Sequence, residues 1–346
     1  MRERIRGWVR EMGVPRLLIA GFVVALFATA VATHMDIGAL VTDSIVRVAR
    51  NGVLVLALLP AIQGGIGLNF GLPLGILCGL IGCVVALNAG IAGVVGLATA
   101  TGIGVALAVP VGMGYGWLLN RTRGQEMMVG TYLGFAAVSG MSIFWLLAPF
   151  TNPTLVWAIG GKGLRTTLAL TGSFSKVLDR WLQFTVAGVT IPTGALLVFV
   201  GMCVLVSWFF RTQMGITIAA ARSNPRFARA AGISDERTRI QAAVFSTVLA
   251  AVGIVIYSQS YGFVQLYTAP LLMAFPVIAC ILIGGATVTR ATVAHVIIGT
   301  VLFQSILTTA LPVTSQVIEG DISETARLII QNGMILYALT RIGRGE

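Results

Sequence analysis

Apolar residues dominate the chain in long runs that are separated by short polar links. A helix needs about 20 consecutive, mainly apolar residues to cross the hydrocarbon core of a membrane, and somewhat fewer when it is broken. The pattern therefore predicts an all-α, polytopic membrane protein with one transmembrane domain over residues 1–346. Ten runs predict ten spans, at 17–33, 50–68, 72–88, 91–119, 127–148, 191–210, 240–258, 271–285, 292–311 and 326–340.

Composition excludes a soluble protein. Hydrophobic residues make up 57% of the chain and charged residues only 10%, whereas an ordinary soluble domain carries about 25% charged residues. The pI near 10.4 would suggest nucleic acid as a partner of a soluble protein. Here the arginines lie in short links between apolar runs, so we expect no nucleic-acid binding.

The distribution of basic residues predicts the orientation. Of the 23 Lys and Arg residues, 16 fall on the side that holds both termini and the loop 211–239, and acidic residues divide evenly. The positive-inside rule therefore predicts cytoplasmic termini and a cytoplasmic 211–239 loop. The long link 149–190 then faces outward. Its stretch Phe174 to Phe184 is predicted to form a short amphipathic helix on the membrane surface, or to cover the outer mouth of a pathway.

Several kinds of chemistry have no support in the sequence. We find no Asp or Glu inside the ten runs and expect all of them in links or at span ends, which disfavours proton or sodium coupling. No GxxxxGK[ST] loop is present, so the chain is expected to bind no ATP itself. His34 and His295 have no companion at metal-ligand spacing, and no catalytic constellation is evident. The four cysteines share apolar surroundings and no CxxC spacing, and are expected to be buried free thiols: Cys78, Cys83, Cys203 and Cys280.

A glycine-rich segment interrupts the apolar pattern between the second and third runs. The residues 63–73 read QGGIGLNFGLP, which is too polar and too glycine-rich for a continuous lipid-facing helix. Irregular backbone at membrane depth is tolerated only beside protein or a water-filled cavity. We therefore name Gln63, Asn69, Phe70 and Asn88 as candidates for lining a solute pathway. The alternative is that these amides hydrogen-bond to neighbouring helices.

Two further glycine patterns predict close helix packing and a second helix break. Gly71, Gly75 and Gly79 lie on one face of the third run, where they predict close approach of another helix. A second break is predicted at residues 284–287, which read GGAT.

The basic loop 211–239 carries helix signals of its own. Asn224 is suited to cap a helix that begins at Pro225, and Gly232 is a natural stop. A short helix is therefore predicted from about Pro225 to Ala231. Three arginines could face anionic headgroups or an acidic groove on a partner, or could serve only as positive-inside anchors: Arg222, Arg226 and Arg229.

This loop resembles a known segment. Residues 211–233, with the pattern RT…G…A…NP…A…GI, are similar to the coupling segment of bacterial ABC importer permeases for branched-chain amino acids, simple sugars and nucleosides. In that family the short helix docks into the cytoplasmic ATPase. The resemblance implies that the coupling helix and its caps comprise Asn224, Pro225, Ala228, Ala231, Gly232 and Ile233, and we name the three arginines as further candidates for contact with the ATPase.

Other segments resemble the same family with departures. The segment GGIGLNFG is similar to the family's GGIDLSVG, although Gly67 stands where sugar permeases usually have Asp. Residues 121–135 look closer to the nucleoside branch, and the segment from Gly284 lacks the second glycine cluster of the sugar branch.

The resemblance implies a permease subunit that works by alternating access in the bacterial inner membrane. Implied partners are cytoplasmic ATP-binding subunits that use ATP and Mg²⁺, a second permease, identical or related, and an extracytoplasmic solute-binding protein, within membrane lipid. The expected solute is a simple sugar or nucleoside, with a branched-chain amino acid next. The competing classes are a carrier or channel without an ATPase, and a membrane-embedded enzyme.

Overall fold

The computed structural model describes residues 14–150, 152–157, 163–317 and 322–340. The terminal segments on which part of the orientation prediction rests lie outside these ranges. Within the described residues the helices are α1 (Val14–Ala32), α2 (Ile37–Leu56), α3 (Leu58–Gln63), α4 (Leu72–Asn88), α5 (Gly93–Arg121), α6 (Glu126–Leu147), α7 (Val177–Arg180), α8 (Thr193–Phe209), α9 (Gln213–Ser223), α10 (Pro225–Ala230), α11 (Asp235–Tyr261), α12 (Ala269–Ile283), α13 (Val293–Val317) and α14 (Ile322–Thr340).

The helices are those of a multi-pass membrane protein. Five of the described helical stretches are long and apolar enough to cross a membrane: Ile37–Gln63, Gly93–Arg121, Glu126–Leu147, Asp235–Tyr261 and Val293–Gln316. Helices α8 and α9 together form a sixth candidate with a bend of 68° between them. Shorter apolar helices occupy the other four predicted positions, at Leu17–Ala32, Leu72–Asn88, Ala269–Ile283 and Leu328–Tyr337. Ten crossings, with both ends on the cytoplasmic side, remain a prediction.

The predicted start of the second span, at residue 50, is wrong. Helix α2 begins at Ile37, where the Asp36 side chain accepts a 3.1 Å hydrogen bond from the backbone N–H of Ala39. Arg47 pairs with Asp43 one turn earlier at 3.2 Å, so polar residues that interrupt the apolar run do not interrupt the helix. The expectation that every acidic residue lies in a link or at a span end is therefore wrong at Asp43.

The centre of the molecule is formed by α4 and α5 packed against α11. The predicted glycine stripe on α4 provides this close approach. A Cβ atom at Gly75 would overlap the backbone at Thr247, and one at Gly79 would overlap the backbone at Ala251. The interpretation of the stripe as a packing surface is confirmed. The four cysteines are free and buried, also as predicted.

The prediction of an all-α fold needs a correction at the end of the bundle that carries the 149–190 link. Short antiparallel pairs form there, between β1 (Thr167–Ala169) and β4 (Phe263–Gln265) and between β2 (Phe184–Val186) and β3 (Val189–Ile191). The fold is therefore mostly helical with little strand. The helix predicted over 174–184 is only α7, because the backbone is extended at Trp181 and left-handed at Leu182, with φ of 55°.

Candidate functional site

The predicted short helix of the basic loop is present as α10. The Asn224 side-chain oxygen accepts a 3.0 Å hydrogen bond from the N–H of Phe227 and caps the helix, and Pro225 takes its first position. Gly232 ends it in the left-handed region at φ of 78°, and Ile233 donates back to the Ala228 carbonyl at 2.9 Å. The sequence prediction did not include α9, which precedes α10.

The surface of α10 combines positive charge with one large apolar side chain. Arg226 and Arg229 are exposed, and Phe227 between them is 65% exposed. Ala228 is buried and holds α10 against the bundle. Of the remaining residues predicted for coupling, Ala231 is exposed and Ile233 is half-buried. Phe227 was missed by the sequence interpretation, although an apolar residue inside the basic string PRFAR was its signal.

Arg222 links this segment to the glycine break. It lies in the last turn of α9, two residues before Asn224, which caps α10, and its guanidinium donates a hydrogen bond to the backbone carbonyl of Ile62. Ile62 is in α3, the last helical turn before the break. One end of α10 is thus connected to the start of the break.

Arg239 links the other side of the same segment to the break. Its guanidinium is buried and donates to the Gly65 carbonyl at 3.1 Å, to the Asn120 side-chain oxygen at 3.0 Å and to a Glu126 carboxylate oxygen at 2.6 Å. These contacts join α11 to the break, to the end of α5 and to the start of α6. The sequence interpretation counted Arg239 only as an orientation marker.

The break itself is non-helical, as predicted, and a polar network holds it. Asn69 donates to the Ser246 hydroxyl at 2.8 Å and accepts from the Tyr115 hydroxyl at 2.8 Å and from the N–H of Gly71 at 3.0 Å. Ser246 in turn donates to the Ala57 carbonyl at 2.7 Å. Asn69 is only 1% exposed. Its hydrogen bonds are therefore made within the protein, where they stabilise the break.

A cavity of about 540 Å³ opens beside the break, between it and Arg222 of the basic loop. Its walls are the backbone of 65–67, the α5–α6 turn and start of α6 at 124–128, Arg222, and the second break at 288–289. This second break is present between the end of α12 at Ile283 and the start of α13 at Val293. The cavity therefore lies where both helix breaks meet Arg222 of the basic loop.

The four residues predicted to line the pathway lie in different parts of the structure. Gln63, at the end of α3, donates to the Ala291 carbonyl of the second break at 3.0 Å. The ring of Phe70 contacts that of Phe275 with centroids 6.0 Å apart. Asn88 is exposed at the far end of α4, a helix length away from Asn69. Gln63 and Phe70 are thus near the break, Asn69 is part of its framework, and Asn88 is at the opposite face.

The chain matches the model of a known protein family. A family described as "Branched-chain amino acid transport system / permease component" matches residues 40–339. This chain belongs to that permease family. It is an ABC-type transport permease and thus a transport subunit rather than a member of a catalytic enzyme family. Neither a curated protein nor a solved structure matches the permease significantly.

The matched region contains both helix breaks and the basic loop. ABC permeases of this family imply separate ATP-binding subunits and a solute-binding protein as partners. The match covers the break, the cavity walls and residues 211–239 in full. All of these features therefore lie within the residues that match the family model.

Proposed function

We propose that the permease is the membrane-spanning subunit of an ATP-driven importer and moves a small polar solute by alternating access. The observation that carries the proposal is the pair of hydrogen bonds from Arg222 and Arg239 to the backbone of the glycine break. A segment exposed for docking is thereby connected, at both of its ends, to irregular backbone beside a cavity.

The exposed face of α10 supports docking of an ATP-binding subunit. Arg226 and Arg229 flank the exposed ring of Phe227, a surface that fits a groove with an acidic rim and an apolar floor. ATP and Mg²⁺ act in that partner, and this chain binds no cofactor or metal of its own. Residues 222–233, including Asn224, Pro225, Ala228, Ala231, Gly232 and Ile233, form the docking unit.

Movement of α10 would reach the break from two sides. Helix α9 carries Arg222 and helix α11 carries Arg239, and α10 lies between them in sequence. When the ATP-binding subunits close, the displacement of α10 passes through both guanidinium groups to residues 62–65. The cavity walls then change together, because Arg239 also holds the start of α6 through Glu126.

The remaining partners follow from alternating access. A second permease subunit, identical or related, encloses the pathway with this one, and an extracytoplasmic solute-binding protein delivers the solute. The whole chain acts as one permease domain in the lipid of a bacterial inner membrane, with 211–239 inside and 149–190 outside. Gln63 and Phe70 line the pathway near the break, and Asn88 lies at its outer end.

The class of solute is a separate proposal. We propose a simple sugar or nucleoside first and a branched-chain amino acid next. The family description names branched-chain amino acids, which keeps them as the second class. Thermal-shift screening of the solute-binding protein against the three classes decides between them, and no shift with any of them would contradict this choice.

ATP-dependent uptake tests the proposed function directly. The permease, its ATP-binding subunits and the second permease are reconstituted in vesicles with the solute-binding protein outside. We expect uptake only with ATP and only in the complete complex. Uptake by this chain alone, driven by a solute or ion gradient, would instead establish a carrier or channel.

A further inference from the structure

An apolar groove of about 670 Å³ runs along α8. Helices α8 and α13 both pack against α2 but have little contact with each other, so a gap remains between them above α2. Buried Val48 of α2 lies at the floor of this gap, and its rim includes Val200 and Val204 of α8 and Ile297 of α13, all of them exposed. We call this feature the α8 groove.

The α8 groove is long enough for one acyl chain. Its lining on this side extends from Leu196, in the first turn of α8, to Arg211, just beyond the end of the helix. At a rise of 1.5 Å per residue this stretch measures about 20 Å. The hydrocarbon core of a membrane is about 30 Å thick, so one leaflet contributes about 15 Å. An extended acyl chain of one leaflet therefore fits within the length of the groove.

One end of the α8 groove lies at the level of the membrane surface. Helix α9 is bent by 68° from α8, and a spanning helix is tilted on average only about 20° from the bilayer normal. Helix α9 therefore runs close to the membrane surface, and the bend at residues 210–212 marks that surface. Trp208, 66% exposed and one turn before the bend, is the residue type that is enriched at this level.

Arg211 gives this end of the groove a positive charge. It is the only charged residue among the described residues that line the groove. Its side chain is exposed and forms no ion pair or hydrogen bond with the part of the chain that the structure describes. A guanidinium group matches the oxygen geometry of a phosphate. The groove thus combines an apolar body with a cationic end, which complements the acyl chain and the phosphate of a phospholipid.

We propose that the α8 groove binds one anionic phospholipid, with an acyl chain along α8 and the phosphate on Arg211. The lipid belongs to the leaflet that the basic loop faces. Basic pockets between membrane helices are suited to such headgroups. The proposal rests on the membrane location of the permease and is independent of the proposed transport function.

A second copy of this chain complements the groove less well. Three acidic residues are described at the end of the bundle that carries the basic loop: Glu126, Asp235 and Glu236. Glu126 and Asp235 are already paired with arginines of their own chain. A copy therefore offers Arg211 only the carboxylate of Glu236, whereas a phospholipid brings a phosphate together with every acyl chain.

Native mass spectrometry of the purified full-length permease tests the proposal. The protein in detergent is mixed with equal amounts of phosphatidylglycerol, which is anionic, and phosphatidylcholine, which has no net charge, both with the same acyl chains. We expect one phosphatidylglycerol to be retained with about fivefold preference, since one arginine near anionic lipid contributes about that factor. Equal retention of both lipids would overturn the proposal.

A matched pair of arginine variants tests the contact with the headgroup. Arg211→Gln should abolish the preference for phosphatidylglycerol. The control is Arg121→Gln, because Arg121 is exposed at the same end of the bundle and lies 3.9 Å from the ring centroid of Trp117, but is not part of the groove. Arg121→Gln should keep the preference. An equal loss in both variants would show attraction by general surface charge and would contradict a site at Arg211.

A second pair tests the position of the acyl chain. Val204→Trp places a bulky side chain in the groove and should lower retention of both lipids several-fold. Leu205→Trp, at the adjacent position of α8, adds the same side chain at a 44% exposed residue outside the groove and should leave retention unchanged. Unchanged retention in Val204→Trp would overturn binding in the α8 groove.

The same spectra distinguish lipid from a second permease as the occupant. Under the proposal, Arg211→Gln and Val204→Trp change the number of bound lipids and leave the number of associated permease chains unchanged. If both variants instead dissociate a permease pair while bound lipid stays the same, the groove is an interface between subunits and the proposal is wrong.

Discussion

The Arg239 guanidinium lies 2.6 Å from the Glu126 carboxylate, and both side chains are largely buried, at 9% and 14% exposed. Removing one partner of such a pair leaves an uncompensated buried charge. We expect Arg239→Gln and Glu126→Gln each to lower the free energy of unfolding by about 3–5 kcal/mol. The double variant should be more stable than the sum of the two single effects predicts. Thermal melting of the purified complex measures the stability of each variant. Strict additivity would show that the pair is not coupled.

Phe227 should determine binding of the ATP-binding subunit. Phe227→Asp places a carboxylate on the exposed face of α10, where we expect an acidic groove, and should abolish co-purification with the ATPase. Phe227→Leu should retain most of it. The control is Val186→Asp, an equally polar change at a 56% exposed position on the opposite face. Equal loss in Phe227→Asp and Val186→Asp would contradict docking through α10.

Asn69 and Asn88 should behave differently, although both were named for the pathway. Asn69→Leu deprives Ser246, Tyr115 and Gly71 of their partner and should cost about 1–3 kcal/mol of stability. Asn88 is exposed at the end of α4, so Asn88→Leu should leave the melting temperature within error. The same melting temperature for both variants would argue against a structural role of Asn69.

The glycine contacts between α4 and α11 should be sensitive to small additions. Gly75→Val forces apart backbones in direct contact and should destabilise the protein by about 1–3 kcal/mol. Gly102 on α5 has no neighbour within 4 Å of an added Cβ, so Gly102→Ala should be neutral or stabilising by up to about 1 kcal/mol. Thermal melting measures both effects. An unchanged melting temperature in Gly75→Val would be inconsistent with the observed packing.

Much of this architecture was predictable because membrane helices are determined by local composition. The apolar runs predicted the positions of the helices, and the Asn-Pro start and Gly stop predicted α10 almost to the residue. The glycine stripe predicted close packing correctly, although it could not name α11 as the partner. The break at 64–71 was predictable because glycines and amides oppose a continuous helix at that depth.

The errors arose at charged residues whose side-chain partners determine their role. Helix α2 continues through Asp43 and Arg47, whose side-chain pair satisfies charges that a hydropathy run treats as an end. The role of Arg239 depends on Asn120, Glu126 and Gly65, which are more than a hundred residues away in sequence. A count of positive charges cannot separate such an arginine from an anchor at the membrane surface.

Arg222 is expected to pass movement from α10 to the break, and the proposed coupling depends most on this residue. The most direct measurement is the number of solute molecules imported per ATP hydrolysed by the reconstituted complex carrying Arg222→Gln. Arg237→Gln, a change at an exposed arginine of the same loop, is the control. We predict that Arg222→Gln still assembles and hydrolyses ATP but imports several-fold less solute per ATP, while Arg237→Gln keeps the normal ratio. An unchanged ratio in Arg222→Gln would contradict the account.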